Sequence, residues 1–240
     1  MPKWIGKRYA KLWTHFKEEL FTYKEAKPLF EKYTSNYLSE LKKSQALVVF
    51  EKVGRRKYRL FSPKYYIYNY AHKISLKSLS QTEYAHLLVK LFYILKENLA
   101  DTLLSMGLFG SVAKGTAKKD SDIDLFIITE NLDLTFVERT EYFLDLKRDN
   151  TIKEEVEFLR SRGYNPKINF IIKEKNNLSA NYFTIDITFD MLVIYDTGVL
   201  KQFLEENKEK IKKQGIEKKY LDQEKYYLDL NIEFGEEYEF

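Results

Sequence analysis

The sequence predicts an α+β or α/β protein in which an N-terminal helical module precedes a larger domain with a helix-flanked mixed sheet. Two observations support this fold class. From about residue 80 to 175, segments with helical periodicity alternate with short apolar runs, and such alternation is typical of helices packed on a sheet. The first 65 residues instead show two short helical segments and then two β-prone runs. We therefore expect two domains, residues 1–75 and residues 76–240.

The composition sets limits on the class of protein. The 240 residues are 44% hydrophobic and 16% aromatic and include no cysteine, so disulfides and thiolate metal sites are excluded. No apolar run approaches the roughly 18 residues of a membrane span, and the first residues show no secretory signal. We expect a cytoplasmic protein with no membrane partner.

The net charge of +4 is too small to indicate a nucleic-acid partner by itself. Its distribution is more informative, because residues 41–60 hold seven basic side chains and a single acidic one, whereas the residues after Lys225 form an acidic tail. This asymmetry predicts a basic binding face in the first quarter of the chain. Its basic residues are Lys42, Lys43, Lys52, Arg55, Arg56, Lys57 and Arg59.

Two helices and a hairpin are predicted in the first domain. Residues 21–33 favour a short amphipathic helix, and residues 34–47 favour a second helix that opens at a Thr/Ser cap. Two β-prone runs within residues 47–63 then surround a turn at Gly54. This order is the pattern of a winged helix-turn-helix, whose second helix enters a DNA major groove while the hairpin tip follows the phosphates.

The basic side chains of this pattern are the candidate contacts to a DNA or RNA partner: Lys42, Lys43, Arg55, Arg56 and Lys57. Two other interpretations stay open. The segment also fits a small helical domain with a solvated basic hairpin, and modules of this kind dock proteins as well as DNA.

The larger domain follows an aromatic, irregular connection at residues 64–80, where a capping box at Ser80 opens a helix. Strands and helices then alternate, and a C-terminal helix precedes the acidic tail. The predicted strands are 103–110, 123–129 and 166–174, and the predicted later helices are 135–149, 152–162 and 198–215.

Asp122 and Asp124 stand two residues apart at the start of a predicted strand. Side chains at this spacing leave a strand on the same face, so the two carboxylates repel each other unless a cation lies between them. Mg²⁺ takes oxygen ligands and commonly uses one or two carboxylates together with substrate phosphates. Ile123 and Leu125 point to the opposite face and anchor the strand in the core. We therefore expect Asp122 and Asp124 to bind Mg²⁺.

Gly110 and Ser111 end the preceding strand, with ten residues between Ser111 and Asp122. A glycine there lets backbone N–H groups approach a phosphate, and the serine hydroxyl adds a donor. A helix that begins near Ser111 would direct its positive end at the same anion, and Lys114 adds positive charge. With the carboxylate pair, these residues predict a site for a nucleoside triphosphate (NTP) and its metal.

The two pairs together form one pattern: an apolar residue, Gly-Ser, ten residues, and then Asp-apolar-Asp-apolar. This pattern resembles the signature of the polymerase-β-like nucleotidyltransferase superfamily. The chain is especially similar to the minimal-nucleotidyltransferase-like domains over about residues 80–200, and a winged helix ahead of such a domain is a known archaeal arrangement. The residues that carry the resemblance are Phe109, Gly110, Ser111, Asp122, Ile123, Asp124 and Leu125.

The resemblance implies a reaction in which an acceptor attacks the α-phosphorus of an NTP and pyrophosphate leaves. It implies Asp122 and Asp124 as the catalytic ligands of one or two Mg²⁺ ions, and Gly110 and Ser111 as binders of the triphosphate. AMP is the nucleotide that we expect to be transferred, and a macromolecule is the expected acceptor. Minimal relatives include antitoxins that adenylylate a partner toxin, so the resemblance allows a protein acceptor.

Active members of this superfamily usually carry a third carboxylate on the next core strand, where this chain has Asn169. An amide is a weaker metal ligand and cannot act as a general base at neutral pH. Asp186 is the nearest downstream substitute as a metal ligand, followed by Asp190, and both also fit as polar positions of an amphipathic segment. Metal and nucleotide binding are therefore expected, whereas efficient transfer is left open.

Three functions remain in competition. The first is a Mg²⁺-dependent nucleotidyltransferase whose winged helix binds the acceptor or a nucleic acid. The alternative is a DNA-binding transcriptional regulator whose nucleotidyltransferase domain senses a nucleotide without turnover, and Asn169 supports this alternative. The third is a protein-interaction module in which the basic hairpin docks an acidic partner.

Overall fold

A computed structural model of the chain describes residues 3–30, 32–51, 56–222 and 225–231. The chain divides into two compact units. Unit 1 combines Met1–Asn98 with Leu144–Asn165, and unit 2 combines Leu99–Phe143 with Pro166–Phe240. The division into functional domains at residue 75 stays a prediction.

Helices occur in both units. In chain order they are α1 (Lys3–Phe16), α2 (Tyr23–Ala26), α3 (Thr34–Lys43), α4 (Pro63–Ala71), α5 (Ala85–Leu99), α6 (Gly110–Lys114), α7 (Phe136–Lys147), α8 (Asn150–Arg160), α9 (Tyr182–Thr188) and α10 (Val199–Gln214). The strands are β1 (Phe21–Thr22), β2 (Leu47–Glu51), β3 (Lys57–Leu60), β4 (Leu103–Phe109), β5 (Ile123–Thr129), β6 (Ile168–Glu174), β7 (Leu192–Asp196), β8 (Glu217–Tyr220) and β9 (Tyr226–Asp229).

The N-terminal part of unit 1 packs three helices on a small antiparallel sheet with the strand order β1-β3-β2. Ile5, Tyr9 and Leu12 are the buried residues of α1, and their spacing of three to four places them on one helix face. This face contributes to a single apolar cluster that also holds Leu41 of α3 and Leu60 of β3. The β2–β3 hairpin predicted from the two β-prone runs is present.

The helix predicted over 21–33 is much shorter in the structure. Phe21 and Thr22 pair with β3, and Thr22 then caps the four-residue α2 through a reciprocal capping box with Glu25. A 3-10 turn with Pro28 in its first residues follows, because proline lacks the N–H that a continuing α-helix needs.

The Thr/Ser cap predicted for the next helix is wrong. The N-cap of α3 is Tyr33, which has a left-handed backbone with φ of +64° and makes no side-chain cap hydrogen bond. Thr34 is the first helical residue and is buried. Its burial makes it part of the packed surface rather than a free capping side chain.

The connection predicted as irregular contains a helix. Ser62 accepts a hydrogen bond from the backbone of Tyr65 at 3.4 Å, and Pro63 follows it as the first residue of α4. A serine cap followed by proline is a helix-start signal, and the dense tyrosines after it obscured this signal in the sequence.

A buried network of charges lies inside unit 1. The guanidinium of Arg59 on β3 pairs with both carboxylate oxygens of Glu155 on α8, and Lys90 of α5 donates to the same carboxylate at 2.7 Å. Arg59 is 3% exposed, so it does not belong to the basic surface predicted over residues 41–60. Its charge is matched by a buried carboxylate, as the burial of an ion requires.

Unit 2 is built on a four-stranded mixed sheet with the order β6-β5-β4-β7. β5 runs parallel to β6 and antiparallel to β4, and β4 is antiparallel to β7. The mixed sheet and the three strands predicted within it are therefore confirmed, whereas β7 was not predicted.

One face of this sheet is covered by helices of the same unit. Phe126 and Ile128 of β5 pack in one apolar cluster with Ile187 of α9 and with Leu200 and Leu204 of α10. The C-terminal helix predicted over 198–215 is thus present as α10, and an unpredicted antiparallel hairpin of β8 and β9 follows it. In the part of the chain that the structure describes, no helix has the length and apolar character needed to cross a membrane.

Candidate active site

The carboxylate pair lies at the N-terminal end of β5, a central strand of the unit 2 sheet. Asp122 directly precedes the strand and Asp124 is its second residue. Ile123 and Leu125 are fully buried, whereas both aspartates are partly exposed. The apolar neighbours therefore fix the strand in the core and leave both carboxylates at its solvent-accessible edge.

The strand register brings Asn169 to the pair. Asp124 is opposite Asn169 in the parallel pairing of β5 with β6. The side-chain amide nitrogen of Asn169 donates to Asp122 Oδ2 at 3.1 Å and to Asp124 Oδ1 at 3.0 Å. An amide NH₂ has two protons, so one group holds both carboxylates side by side.

This donor set fits a hard divalent cation. Two carboxylates that share one hydrogen-bonding nitrogen are close enough to share one cation, and Mg²⁺ in such sites takes its remaining ligands from substrate phosphate and water. A half-turn about the Cβ–Cγ bond of Asn169 exchanges its nitrogen for its oxygen and adds a neutral ligand. Among the described residues, no three Asp, Glu, His or Cys side chains group closely enough to hold a metal. The residues therefore fit Mg²⁺ bound with a nucleotide rather than Mg²⁺ held by protein alone.

Both the backbone conformation at position 110 and the closeness of Asp124 require a glycine there. Its φ of +73° lies in the left-handed region, and a Cβ at this position would stand 2.5 Å from Asp124 Oδ2. Any side chain would therefore displace the carboxylate. The glycine follows β4 directly and opens α6, which also contains the partly buried Ser111.

Lys114 is the last residue of α6, and its ammonium points to the C-terminal hairpin. Its Nζ lies 3.3 Å from the Tyr226 hydroxyl, 4.5 Å from the Tyr226 ring centroid and 3.5 Å from Asp190 Oδ2. The short helix therefore joins the predicted phosphate-binding residues at one end to β9 at the other.

Asp186 lies on α9 and belongs to the same group of side chains as Lys114. The Tyr226 hydroxyl donates to Asp186 Oδ2 at 2.9 Å, and Lys218 lies 3.5 Å from the other oxygen. Lys218 is 6% exposed and also donates to Asp190 at 2.6 Å. We name this group the Lys218 cluster: Lys114, Asp186, Asp190, Lys218 and Tyr226.

The chemistry of the Lys218 cluster is that of paired charges. Burial raises the pKa of the Tyr226 hydroxyl, and the hydrogen bond to Asp186 raises it further, so this hydroxyl stays protonated and donates. Both carboxylates face the buried ammonium of Lys218. The metal-ligand role of Asp186 stays a prediction, and the cluster is compatible with the other interpretation of Asp186 as a polar position of an amphipathic helix.

Sequence patterns did not identify Lys218 or Tyr226 as members of a site. Both lie on the C-terminal hairpin, more than a hundred residues after Lys114. The strand sequences EKKY and YYLD show no regular alternation of apolar and polar residues, so no local pattern marked the hairpin or the residues that it would meet.

The predicted nucleic-acid contacts lie in unit 1. Lys42 and Lys43 are exposed at the end of α3, where Lys43 pairs with Glu40 at 2.7 Å. Arg56 is exposed just before β3, and Lys57 is the first residue of that strand. Arg55 and the predicted turn at Gly54 lie outside the described residues.

Comparisons with known proteins agree with the motif. The family model described as "Polymerase beta, Nucleotidyltransferase" matches residues 90–181. A protein of Methanocaldococcus jannaschii named "Putative protein adenylyltransferase MJ1305" is 34% identical over 134 residues, which are 54% of this chain and 83% of that protein.

Two solved structures show distant similarity to the chain. A match to the crystal structure of a toxin–antitoxin with AMP-PNP covers 52% of this chain and 86% of the matched chain, with 17% sequence identity and a TM-score of 0.33. The structure of TrmBL2, an archaeal chromatin protein with a novel mode of DNA binding, is 14% identical, covers 88% of this chain and 92% of its own, and has a TM-score of 0.24. TM-scores this low carry no conclusion about fold or function.

Proposed function

The chain belongs to the polymerase β-type nucleotidyltransferase family. On this premise, we propose that it transfers a nucleoside monophosphate (NMP) from an NTP to a macromolecular acceptor, with AMP as the expected nucleotide. The reaction type follows from the family. The Mg²⁺ dependence, the choice of nucleotide, the acceptor and the individual site residues are the proposed parts.

One observation carries the proposed site. The amide of Asn169 reaches both Asp122 and Asp124 within 3.1 Å, so the two carboxylates are close enough to bind one cation together. Bound Mg²⁺ supplies charge neutralisation at the transferring phosphoryl group and at the leaving pyrophosphate. The protein's own contribution is to hold the two carboxylates rigidly through the buried strand.

Gly110 and Ser111 bind the triphosphate in this proposal. The glycine leaves space beside Asp124, so a phosphate can approach the backbone N–H groups at the start of α6, and Asp122 and Asp124 would hold its metal. Lys114 lies one turn further along α6 and adds positive charge. The acceptor hydroxyl attacks the α-phosphorus, the bond to pyrophosphate breaks and the hydroxyl proton leaves to solvent, because Asn169 orients the pair but cannot take a proton.

A protein is the acceptor that we favour. The Methanocaldococcus jannaschii relative is named as a protein adenylyltransferase. A hydroxyl on a folded partner can attack the α-phosphorus just as a nucleic-acid hydroxyl can, so we expect docking to select the acceptor.

A labelled-transfer assay tests the site. The full chain is incubated with Mg²⁺ and each α-labelled NTP in a lysate of its source organism, and labelled macromolecules are separated by mass. We expect label from ATP to be transferred, and we expect the Asp122→Asn/Asp124→Asn variant to lose at least a hundredfold in rate. Protease and nuclease treatment of the product identify the acceptor class.

Asp120→Asn is the matched control for this experiment. Asp120 is an exposed aspartate in the same loop, so this change removes a nearby negative charge but leaves the pair intact. Transfer that persists in the Asp122→Asn/Asp124→Asn variant would contradict the metal assignment.

We further propose that the N-terminal domain predicted over residues 1–75 is a winged helix-turn-helix that binds DNA or RNA. The order of α1, α2, α3 and the β2–β3 hairpin supports this proposal, as do the exposed Lys42, Lys43 and Arg56. The competing function, a regulator that senses a nucleotide without turnover, is favoured by one observation: the third carboxylate position holds the neutral Asn169.

Duplex DNA binding measured against salt concentration tests the basic hairpin. Replacing Arg55, Arg56 and Lys57 with alanine should weaken binding and reduce the slope of log K against log salt by about 0.9 for each lost phosphate contact. The matched control is Lys212→Ala/Lys213→Ala, which removes two exposed lysines of α10. An unchanged affinity and slope in the hairpin variant would exclude the predicted phosphate contacts.

A further inference from the structure

A pocket of about 390 Å³ lies in unit 1 between α1 and the turn that leads into α3. Its cations are Arg8 and Lys11 of α1 and Lys32 of the turn, and its aromatic walls include Tyr33 and Tyr37. None of the described residues that line it is acidic. The predicted contacts of the winged helix do not take part, so this is a separate basic site.

The lysines beside this pocket have no carboxylate partner among the described residues. Lys3, Lys7 and Lys11 recur every four residues on α1, and residues 3–17 include no acidic residue. Like charges at this spacing repel and destabilise a helix. Among the residues that the structure describes, no carboxylate forms an ion pair with these lysines or with Lys32, whereas Lys43 and others do pair. Such a surface gains most from an anionic partner.

Arg8 is already oriented at this pocket. Its Nη2 donates to the Tyr37 hydroxyl at 3.3 Å, and its guanidinium lies 4.6 Å from the centroid of the Tyr37 ring. Its Nε is buried and has no hydrogen-bond partner in the described part of the chain. Because Nε is buried, a ligand in the pocket would accept from the remaining Nη N–H groups of the guanidinium, and a phosphate oxygen is an acceptor that these groups match well.

Exposed aromatic rings surround the same cations. Tyr33 is 66% exposed and Trp4 is 48% exposed, and the Trp4 ring lies 6.2 Å from the ring of Tyr37. Aromatic rings beside basic side chains are the composition of single-strand nucleic-acid sites, in which bases stack on the rings and phosphates meet the cations.

From these observations we propose that the pocket binds a single-stranded nucleic acid, with one phosphate at Arg8 and Lys11 and a base stacked on Tyr33. A duplex keeps its bases inside the stack and has none to offer to Tyr33. An acidic polypeptide would satisfy the cations but not the exposed rings. The site is independent of the transfer reaction, so it stands or falls separately from the carboxylate pair.

Fluorescence anisotropy of the full chain tests this site with a labelled 12-nucleotide single strand, the matching duplex, polyglutamate and inorganic phosphate as a competitor. Tyr33→Asn removes the ring but suits the left-handed backbone, and it should weaken single-strand binding about fivefold or more without changing the salt slope. Lys11→Gln/Lys32→Gln should weaken binding and reduce the slope by about 1.4.

Three control variants accompany this test. Tyr33→Phe should keep the affinity, and Lys212→Ala/Lys213→Ala and Asp122→Asn/Asp124→Asn should both bind like the wild type. Melting curves for each variant distinguish lost binding from lost folding.

The proposal is overturned if the folded Tyr33→Asn and Lys11→Gln/Lys32→Gln variants bind the single strand like the wild type. Equal binding of polyglutamate and single strand, insensitive to Tyr33→Asn, would identify an acidic polypeptide as the partner. Full competition by millimolar phosphate would contradict the proposal, because it would show that the site recognises anions in general rather than a single-stranded nucleic acid.

Discussion

Asn169 is the residue that decides what the carboxylate pair can do. Its amide donates to both Asp122 and Asp124, and so offsets part of their mutual repulsion. A third carboxylate at this position would add repulsion and a stronger metal ligand at once. Compared with a carboxylate, the asparagine therefore lowers the affinity for metal and raises the stability of the metal-free protein, since it is neutral and its two N–H groups donate to both neighbours.

Replacing Asn169 with aspartate tests this balance. Because three carboxylates then lie together, we expect Asn169→Asp to have a lower melting temperature than the wild type in EDTA. Its free energy of unfolding should be lower by roughly 1–3 kcal/mol. Mg²⁺ should raise its melting temperature more than that of the wild type, and transfer at low Mg²⁺ should increase. Asn169→Ala is the control, because it removes the hydrogen bonds without adding charge. An equal Mg²⁺ effect on all three proteins would show that position 169 lies away from the metal.

At the scale of elements, α6 connects the proposed phosphate-binding residues to the C-terminal hairpin. It starts at Gly110, which the close approach of Asp124 requires, and it ends at Lys114, which contacts Tyr226 of β9. A helix of five residues has little stability of its own. The position of its end therefore depends on the Lys218 cluster.

Two substitutions separate a nucleotide-binding Lys114 from a structural one. Lys114→Gln should raise the KM for NTP about five- to tenfold, because it removes a positive charge beside the triphosphate. Tyr226→Phe keeps the ring beside Lys114 and Lys218 but loses the hydrogen bond to Asp186, so it should lower stability by about 1–2 kcal/mol and change the KM less. Reduced stability with unchanged KM in Lys114→Gln would make Lys114 a structural residue.

At the scale of the whole molecule, buried ion pairs connect segments of unit 1 that are distant in the sequence. Arg59, Lys90 and Glu155 come from three separate segments and meet in one network. Burial would raise the pKa of the Glu155 carboxyl, but the positive charges of His86, Arg59 and Lys90 and the hydrogen bond from Arg59 outweigh burial and hold this pKa at about 2. Burial lowers the pKa of the neighbouring His86 ring to about 3, and the charge of Arg59 adds to this.

These shifts predict that unit 1 loses stability in acid. Between the ordinary His86 pKa of 6.5 and about 3, the unfolded chain binds a proton that the folded chain excludes. Stability is therefore fully present above pH 6.5 and falls by up to about 1.4 kcal/mol per pH unit below it. Glu155 acts in the same direction between 4.5 and about 2.

Urea unfolding followed by tryptophan fluorescence measures this pH dependence, because both tryptophans, Trp4 and Trp13, lie on α1. His86→Gln removes the titrating ring and should flatten the dependence between pH 6.5 and 4.5. A His86→Gln variant with the wild-type slope would show that another group takes up the proton.

The parts of the fold that could be predicted depend on contacts close in sequence. The apolar run of β5 and the carboxylates two residues apart specify a strand with both acids on one face, because the strand period is local. α2 was overestimated because Pro28 acts against a favourable apolar pattern, and α4 was missed because its cap lies within a run of tyrosines.

The sequence by itself determined the family, the central strands and the candidate residues Gly110, Asp122 and Asp124, since the motif and the strand period are both properties of neighbouring residues. Only the tertiary structure decided that Asn169 bridges the carboxylates, that Lys114 meets Tyr226, and that Arg59 is buried on Glu155 rather than exposed on a basic face. Each of these pairs is separated by 45 or more residues. Such pairs are selected by packing and charge compensation across the whole unit, which no local pattern encodes.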